Sequence, residues 1–272
     1  MGSIKPALQR GFPRAYNHVR EWKYALGSRM FSPYTVKHTY GGHEFEVHIA
    51  DSLARGWYDH DWERLGEIDM LGANGLREGC RVFDLGAHQN VVAMMWAKDV
   101  GPSGKVISVE ASRHNIEVGQ RNVSLNGFTN IVTLHAVVAE TEGDVLFSET
   151  LNGCVSIDEG EFLTKPVRAI TIDGLAKKFG SPNVLFLDIE GYEIAALRGA
   201  QETLKHQATW FIEVHGNAIL SKYGSRNADV LDFFQDQYEH YYRTEEKGPF
   251  VKLEGKDAVP ELRFFFAAVP RR

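Results

Sequence analysis

The sequence predicts an α/β fold built on a doubly wound, mostly parallel sheet of seven strands. Three observations carry this expectation. From Arg81 onward, short apolar runs alternate with amphipathic stretches, the texture of parallel strands joined by crossover helices. The first run ends at Asp84 and passes through Leu85-Gly86-Ala87 into a helical pattern, so a small-residue turn links strand to helix. The last two runs, 238–243 and 264–269, flank a turn-rich stretch with Gly248-Pro249 and Gly255, which suits an antiparallel pair at a sheet edge.

The elements follow in order. Residues 1–35 are rich in aromatics, with a short helical pattern at 19–26. Two alternating runs flank Gly41-Gly42 within 36–50 and predict a β-hairpin. A polar and aromatic segment with Trp57, Tyr58 and Trp62 leads into a helical pattern carrying Leu65, Ile68, Met70 and Leu71. These aromatics are read first as packing residues and second as the wall of an acceptor pocket. The strand runs are 82–85, 106–110, 131–136, 184–189, 210–215, 238–243 and 264–269, with an inserted hairpin at 144–148 and 167–172. The chain divides by role into an amino-terminal extension of helix and hairpin, 1–76, and a ligand-binding domain, 77–272.

Composition narrows the function. With 43% hydrophobic and 24% charged residues over 272 positions, the chain can bury a core without staples. A net charge of -6 argues against a dedicated nucleic-acid binder, which carries a basic face. Cys80 and Cys154 form no Cys-x-x-Cys pair, so they are read as free thiols rather than zinc ligands. No apolar run has the length of a membrane span, and the first 20 residues lack the apolar core of a secretion signal. Met1-Gly2-Ser3 begins like a myristoylation signal, but Pro6 stands where Ser or Thr is wanted. The expectation is a cytoplasmic protein acting on a small molecule, without nucleic-acid or membrane partners. Oligomeric state is not legible.

The turn after the first strand carries chemistry. In a doubly wound sheet, ligands bind at the carboxyl ends of the strands. Gly86, lacking a Cβ, lets the backbone come close to a ligand. Asp84 suits an ammonium group or a water. Glu110 closes the second strand, where an acidic residue can accept hydrogen bonds from ribose hydroxyls. A nicotinamide-binding loop would want further glycines two and five positions after Gly86, but His88 and Val91 stand there. That leaves little room for a pyrophosphate.

At this point the chain resembles the FkbM family of methyltransferases, over residues 36 to 214. VFDLGAHQN resembles the family's strand-end D-x-G-A-N-x-G loop, and VEAS its ribose-binding strand end. RNVSLNGFTNIVTLHAVVAETEGDVLF resembles its helix, third strand and hairpin. TIDGL followed by FLDIEGYEIAALRGA, with Asp188, Glu190, Gly191 and Glu193, resembles its most specific signature. The resemblance implies a class I methyltransferase (Rossmann-like) sheet and methyl transfer from S-adenosylmethionine, usually to a hydroxyl of a sugar or natural product. The cofactor set expected from these segments is Asp84, Gly86, Ala87, His88, Glu110, Ala111 and Val138. The loop departs from the family in having His88 for Asn and Asn90 for Gly. Asn tolerates a left-handed backbone better than most residues, so the turn is expected to survive.

The far strand ends supply the expected catalytic set, Asp188, His215 and Glu190. Asp188 ends an apolar run, where a carboxylate needs partners. Glu193 is read as an acidic residue in a first helical turn, favoured by the helix dipole. His215, with an ordinary pKa near 6.5, is the candidate general base, oriented by Asp188. Asp188 with Glu213 or His215 is the alternative seat of a divalent cation; spacing alone does not establish one, and no metal ligands are assigned. The reading is thus an O-methyltransferase dependent on S-adenosylmethionine. A non-catalytic binding subunit and a nicotinamide-dependent oxidoreductase are the rivals.

Overall fold

The computed structural model describes residues 30–148, 153–156, 164–234 and 236–271. The helical pattern at 19–26 and the amino-terminal motif lie outside them. The chain enters through an antiparallel hairpin, β1 (Tyr34–Tyr40) and β2 (His43–Ile49). Gly41 and Gly42 make the turn with φ of 60° and 91°, values that favour glycine. A Cβ on Gly41 would lie 2.5 Å from Met95 Cε, so the turn is pressed onto the following domain. Two helices complete the extension, α1 (Ser52–Tyr58) and α2 (Gly66–Ala73).

The alternating part then runs β3 (Arg81–Leu85), α3 (Val91–Asp99), β4 (Lys105–Glu110), α4 (Arg113–Leu125) and β5 (Ile131–His135). A small second sheet follows, formed by β6 (Val137–Val138), β7 (Gly143–Ser148), β8 (Cys154–Val155) and β9 (Thr164–Ile170) in the order β6-β9-β7-β8. The chain returns through α5 (Ile172–Phe179), β10 (Val184–Leu187), α6 (Glu193–Arg198), β11 (Thr209–Val214) and α7 (Asn217–Leu220). It ends with β12 (Tyr238–Arg243), β13 (Val251–Lys252) and β14 (Phe264–Pro270).

The main sheet has the order β13-β12-β14-β11-β10-β3-β4-β5. Five strands are parallel, and β14 inserts antiparallel between β11 and β12. All seven expected strands are present, and the eighth, β13, is a two-residue edge. Several strand boundaries differ from expectation by one to three residues, two of them for a clear reason. The third strand stops at His135, and the chain steps into the second sheet, where Ala139 donates its N–H to the Ile170 carbonyl. The inserted hairpin closes at Ile170 because Thr171 caps α5, its hydroxyl accepting the Gly174 N–H at 2.9 Å.

Parallel strands are buried on both faces, and alternation sorts their side chains. Phe83, Leu85, Ile107, Val109, Leu185 and Leu187 join one core. Val82, Val106, Val184, Phe186 and Phe211 join the other, together with Tyr40, Phe45 and Val47 of the hairpin, Ile68 and Leu71 of α2, and Met94, Met95 and Trp96 of α3. The extension is therefore part of the second core. Asp84, two residues from Val82, projects on this same face.

Polar ties lock the extension to the turn after β3. Asp51 is 1% exposed. Its Oδ1 accepts the N–H groups of Leu53 and Ala54 at 2.8 Å and so caps α1. Its Oδ2 accepts from Gln89 and from His114, both at 2.9 Å. Burial alone would raise its pKa, but these hydrogen bonds, with His114 the largest, lower it to about 2. Asn90 takes the expected left-handed backbone, φ 64°. Its side chain does more than fill the turn: it accepts from the Ser108 hydroxyl on β4 and donates to the Thr133 hydroxyl on β5 at 3.0 Å.

Two outcomes follow from these ties. Asp51→Ala should cost about 2–3 kcal/mol at neutral pH, through loss of a cap and of charged hydrogen bonds. Because the folded-state pKa is depressed, this stabilisation is complete above the ordinary carboxylate pKa and vanishes as pH falls through about 2. Chemical denaturation of both proteins should therefore show the gap closing below about pH 4. Asn90→Gly relieves a left-handed backbone but strands two hydroxyls, one of them fully buried. Orphaning such groups costs about 1–3 kcal/mol, more than the relief, so stability should fall. An equal or higher melting temperature would show that backbone conformation, not the bridge, selects Asn90.

Candidate active site

The carboxyl ends of β3, β4, β10 and β11 meet at one edge of the sheet, and an open cleft of about 640 Å³ lies against them. The chain reaches this edge by unusual backbone. The non-glycine residues with positive φ among those described are His88 (46°), Asn90 (64°) and Glu190 (56°), and all three stand in the turns that follow β3 and β10. Non-glycine residues in this region carry strain that neighbouring structure must hold in place.

Gly86 sets the geometry. It has φ 94°, and a Cβ there would fall 1.7 Å from the Asp188 carbonyl oxygen. The Asp188 N–H in turn donates to the Leu85 carbonyl at 2.9 Å. The turn after β3 and the turn after β10 thus touch through backbone alone.

Of the expected cofactor residues, Gly86, His88, Glu110, Ala111 and Val138 line the cleft; Asp84 and Ala87 do not. Glu110 is held rigidly, Oε2 accepting the His88 N–H at 2.9 Å and Oε1 the Ser112 N–H at 2.7 Å. Burial raises its pKa to about 7 against these hydrogen bonds. Asp84 lies beneath the turn, 1% exposed, and neither carboxylate oxygen has a hydrogen-bond partner. Burial, then the nearby Glu110 charge, raises its pKa to about 7. Ala87 faces inward, its N–H bonded to the Val109 carbonyl. His88 Nδ1 lies 2.7 Å from the Tyr58 hydroxyl. Burial lowers its pKa to about 4, so the ring is neutral at physiological pH.

Asp188 and Glu190 also line the cleft, whereas His215 stands just behind them. Four carboxylates surround the His215 ring. Nδ1 donates to Glu193 Oε1 at 2.9 Å. Nε2 is 3.4 Å from Glu190, 3.6 Å from Asp188 and 3.7 Å from Glu213. Burial opposes the charged ring, but the Glu193 hydrogen bond and the charges of Glu193, Asp188 and Glu190 overcome it and raise the pKa to about 10. The imidazole is therefore a cation at neutral pH, with no lone pair to receive a proton. A general base suits an imidazole of ordinary pKa, whereas the four acidic neighbours here favour the protonated ring. Asp188 goes the other way: burial, then Glu213, raises its pKa well above the usual carboxylate range, with His215 pulling it down.

Glu193 was underrated as a helix-stabilising residue. It is fully buried, accepts the Gly191 N–H at 2.7 Å and anchors His215. Asp188, Glu213 and His215 offer ligand atoms within 4.8 Å of one another, a clustering that does not by itself support a metal. Glu213 is further paired with Arg263.

Sequence reasoning missed several walls of the cleft: Val109, Ala136 and Val137 at the ends of the second and third strands, Phe147, Gly153 and Val155 from the second sheet, and Ile189 and Tyr192 beside the acidic turn. The first three follow from the rule that strand ends bind ligands, had it been applied to every strand. The residues of the second sheet carry no local signal. Trp57 lines the cleft, whereas Tyr58 is buried behind it and Trp62 donates its indole N–H to the Trp57 carbonyl at 2.7 Å.

Among the described residues, no helix is long and apolar enough to cross a membrane. The chain matches the methyltransferase FkbM domain over residues 84–243. No curated protein matches it. Similar solved structures include an FkbM methyltransferase from Methylobacillus flagellatus KT, at 17% identity and a TM-score of 0.44, covering 69% of this chain and 43% of that one. An O-methyltransferase from Thermotoga maritima aligns at 13% identity and a TM-score of 0.46, covering 88% and 78%. Fibrillarin from Aeropyrum pernix, with natively bound S-adenosyl-L-methionine, aligns at 13% identity and a TM-score of 0.44, covering 86% and 82%. The chain thus spans under half the length of the FkbM structure it matches. It belongs to the FkbM methyltransferase family, with the sheet of the class I S-adenosylmethionine-dependent methyltransferases.

Proposed function

We propose that this chain binds S-adenosylmethionine in the cleft and transfers its methyl group to a hydroxyl of a sugar or natural product. One observation carries the reading. Glu110, Asp188 and Glu190 line the cleft, and no lysine or arginine does among the described residues. Such a wall favours a ligand with positive charge and repels a pyrophosphate. S-adenosylmethionine carries an ammonium and a sulfonium; a nicotinamide dinucleotide carries two phosphates. Asp84, whose carboxylate has no hydrogen-bond partner among the described residues, adds a further acidic group beneath the turn. Glu110, closing β4, is placed to accept from ribose hydroxyls, and Gly86, His88, Ala111 and Val138 form the surrounding wall.

When bound, S-adenosylmethionine supplies a methyl group on a positively charged sulfur. The protein supplies position, worth several kcal/mol in such displacements, and a base. In this reading Asp188 takes the acceptor hydroxyl proton as oxygen attacks the methyl. A carboxylate with a raised pKa is a stronger base than an ordinary one. His215, as a cation, holds Asp188, Glu190 and Glu213 in place and keeps part of the acidic cluster ionised. The segment before residue 77 caps the cleft through Trp57.

Titration calorimetry tests the ligand: S-adenosylmethionine should bind and NADH should not. Glu110→Gln should weaken S-adenosylmethionine by about 1.5–3 kcal/mol, the range for charged hydrogen bonds. Unchanged affinity in a folded variant would remove Glu110 from the site, and binding of NADH alone would overturn the reading. A mass-spectrometric screen of hydroxyl-bearing acceptors for a gained methyl tests the reaction.

The base is tested by pH. Turnover should rise with pH through an apparent pKa above the usual carboxylate range, as Asp188 loses its proton. Asp188→Asn should lower turnover by about 100-fold or more. His215→Gln removes a neighbouring positive charge, so the acidic limb of the profile should move to higher pH. Disappearance of the limb, leaving a low rate that no longer varies with pH, would return the base role to His215.

A further inference from the structure

We propose that His88 offers its Nε2–H to the carboxylate of the cofactor's amino-acid end, and that Tyr58 is the positioning residue that fixes the required tautomer. The inference rests on the reading of the cleft as an S-adenosylmethionine site.

The tautomer follows from hydrogen-bond accounting. Tyr58 is 4% exposed, and its hydroxyl has one partner among the described residues, His88 Nδ1 at 2.7 Å. If Nδ1 carried the proton and donated to the phenol oxygen, the buried phenol O–H would be left without an acceptor, a costly arrangement. If the phenol donates to Nδ1, only spare lone pairs on its oxygen go unused. Donation by Tyr58 therefore wins, and the single proton of the neutral imidazole sits on Nε2. Burial keeps the phenol protonated and the imidazole neutral.

The ring is also held in direction. Its centroid lies 5.0 Å from that of Trp57 and 5.6 Å from that of Tyr58, and its backbone is pinned by the His88 N–H to Glu110. Nδ1 is occupied, Nε2 has no hydrogen-bond partner among the described residues, and His88 lines the cleft. An N–H there calls for an acceptor from the ligand.

Charge identifies that acceptor. Among the described residues the cleft has three carboxylates and no lysine or arginine, which suits the two cationic groups of the cofactor but offers no cation to its carboxylate. Only Trp57, His88 and Tyr192 bring a side-chain N–H or O–H to the described wall besides the acids, and of these His88 alone belongs to the turn after β3. A ligand ammonium cannot accept this hydrogen bond, and ribose hydroxyls have Glu110 beside them. Of the acceptors left, the adenine ring nitrogens are neutral, and the carboxylate is the one whose charge the described wall otherwise leaves unmet.

Two nucleosides separate the cofactor's halves: S-adenosylhomocysteine keeps the amino-acid end, and methylthioadenosine lacks it. By calorimetry, His88→Ala should weaken S-adenosylhomocysteine by about 10-fold or more and Tyr58→Phe by about 3- to 10-fold, with methylthioadenosine changed less than about 2-fold. Equal losses for both ligands would make the pair a packing device, and retained affinity for S-adenosylhomocysteine would overturn the inference while leaving the cleft reading intact. Binding of neither nucleoside by the wild-type protein would overturn both. Nitrogen NMR of the wild-type ring needs no variant to fold. It should show Nδ1 unprotonated and Nε2 protonated, with Nε2 shifted by S-adenosylhomocysteine and not by methylthioadenosine. A proton on Nδ1, or an Nε2 that ignores the amino-acid end, would sink the proposal.

Discussion

The contact between Gly86 and the Asp188 carbonyl organises this protein. Two parallel strands, β3 and β10, end side by side, and the turns that leave them would collide if position 86 carried a Cβ. With none there, the two turns interlock, and the Asp188 N–H closes on the Leu85 carbonyl. One turn carries His88 and approaches Glu110. The other carries Asp188 and Glu190. The turn that approaches Glu110 and the acidic cluster are adjacent because Gly86 has no Cβ, and the strained residues His88 and Glu190 sit on either side of that contact.

Electrostatics at this edge divides into two opposed regimes. Around His215 negative charge is in excess, so the ring is held as a cation and its four acidic neighbours are held together. Around His88 the buried aromatic setting of Trp57 and Tyr58 prevails, so the ring stays neutral and a tautomer, not a charge, defines it. Two histidines with the same intrinsic chemistry thus take different states a short distance apart. Asp84 and Glu110, both buried, have raised pKa values because burial penalises their charged forms.

The amino-terminal extension is bound into this arrangement by side chains. Asp51 caps α1 and holds Gln89 and His114; Tyr58 holds His88; Trp57 forms part of the cleft wall. On the far side, Glu67 of α2 meets Arg243 of β12 at 2.6 Å in a buried ion pair, the guanidinium lying between the rings of Phe250 and Phe265. Together with α3 the extension packs on one face of the sheet, and its side chains reach from the turn after β3 to β12.

The sequence by itself determined the fold class and the presence of all seven principal strands. These are local matters: β-alternation, apolar runs, a glycine after a strand, an acid at a strand's end. It determined Gly86, Glu110, Asp188 and Glu190 as residues of one edge, because parallel strands align their carboxyl ends. It also showed that Asn90 could take a left-handed turn. Only the tertiary structure decided what those groups are chemically. The protonation of His215 depends on carboxylates of the 188–193 turn as well as on its strand neighbour Glu213, and the tautomer of His88 on a phenol 30 residues earlier. The burial of Asp84 without a partner, and the entry of Phe147 and Val155 into the cleft, depend on how the extension and the second sheet pack. A pKa is set by the charges and solvent within a few ångströms, and no spacing along the chain reports which residues those will be.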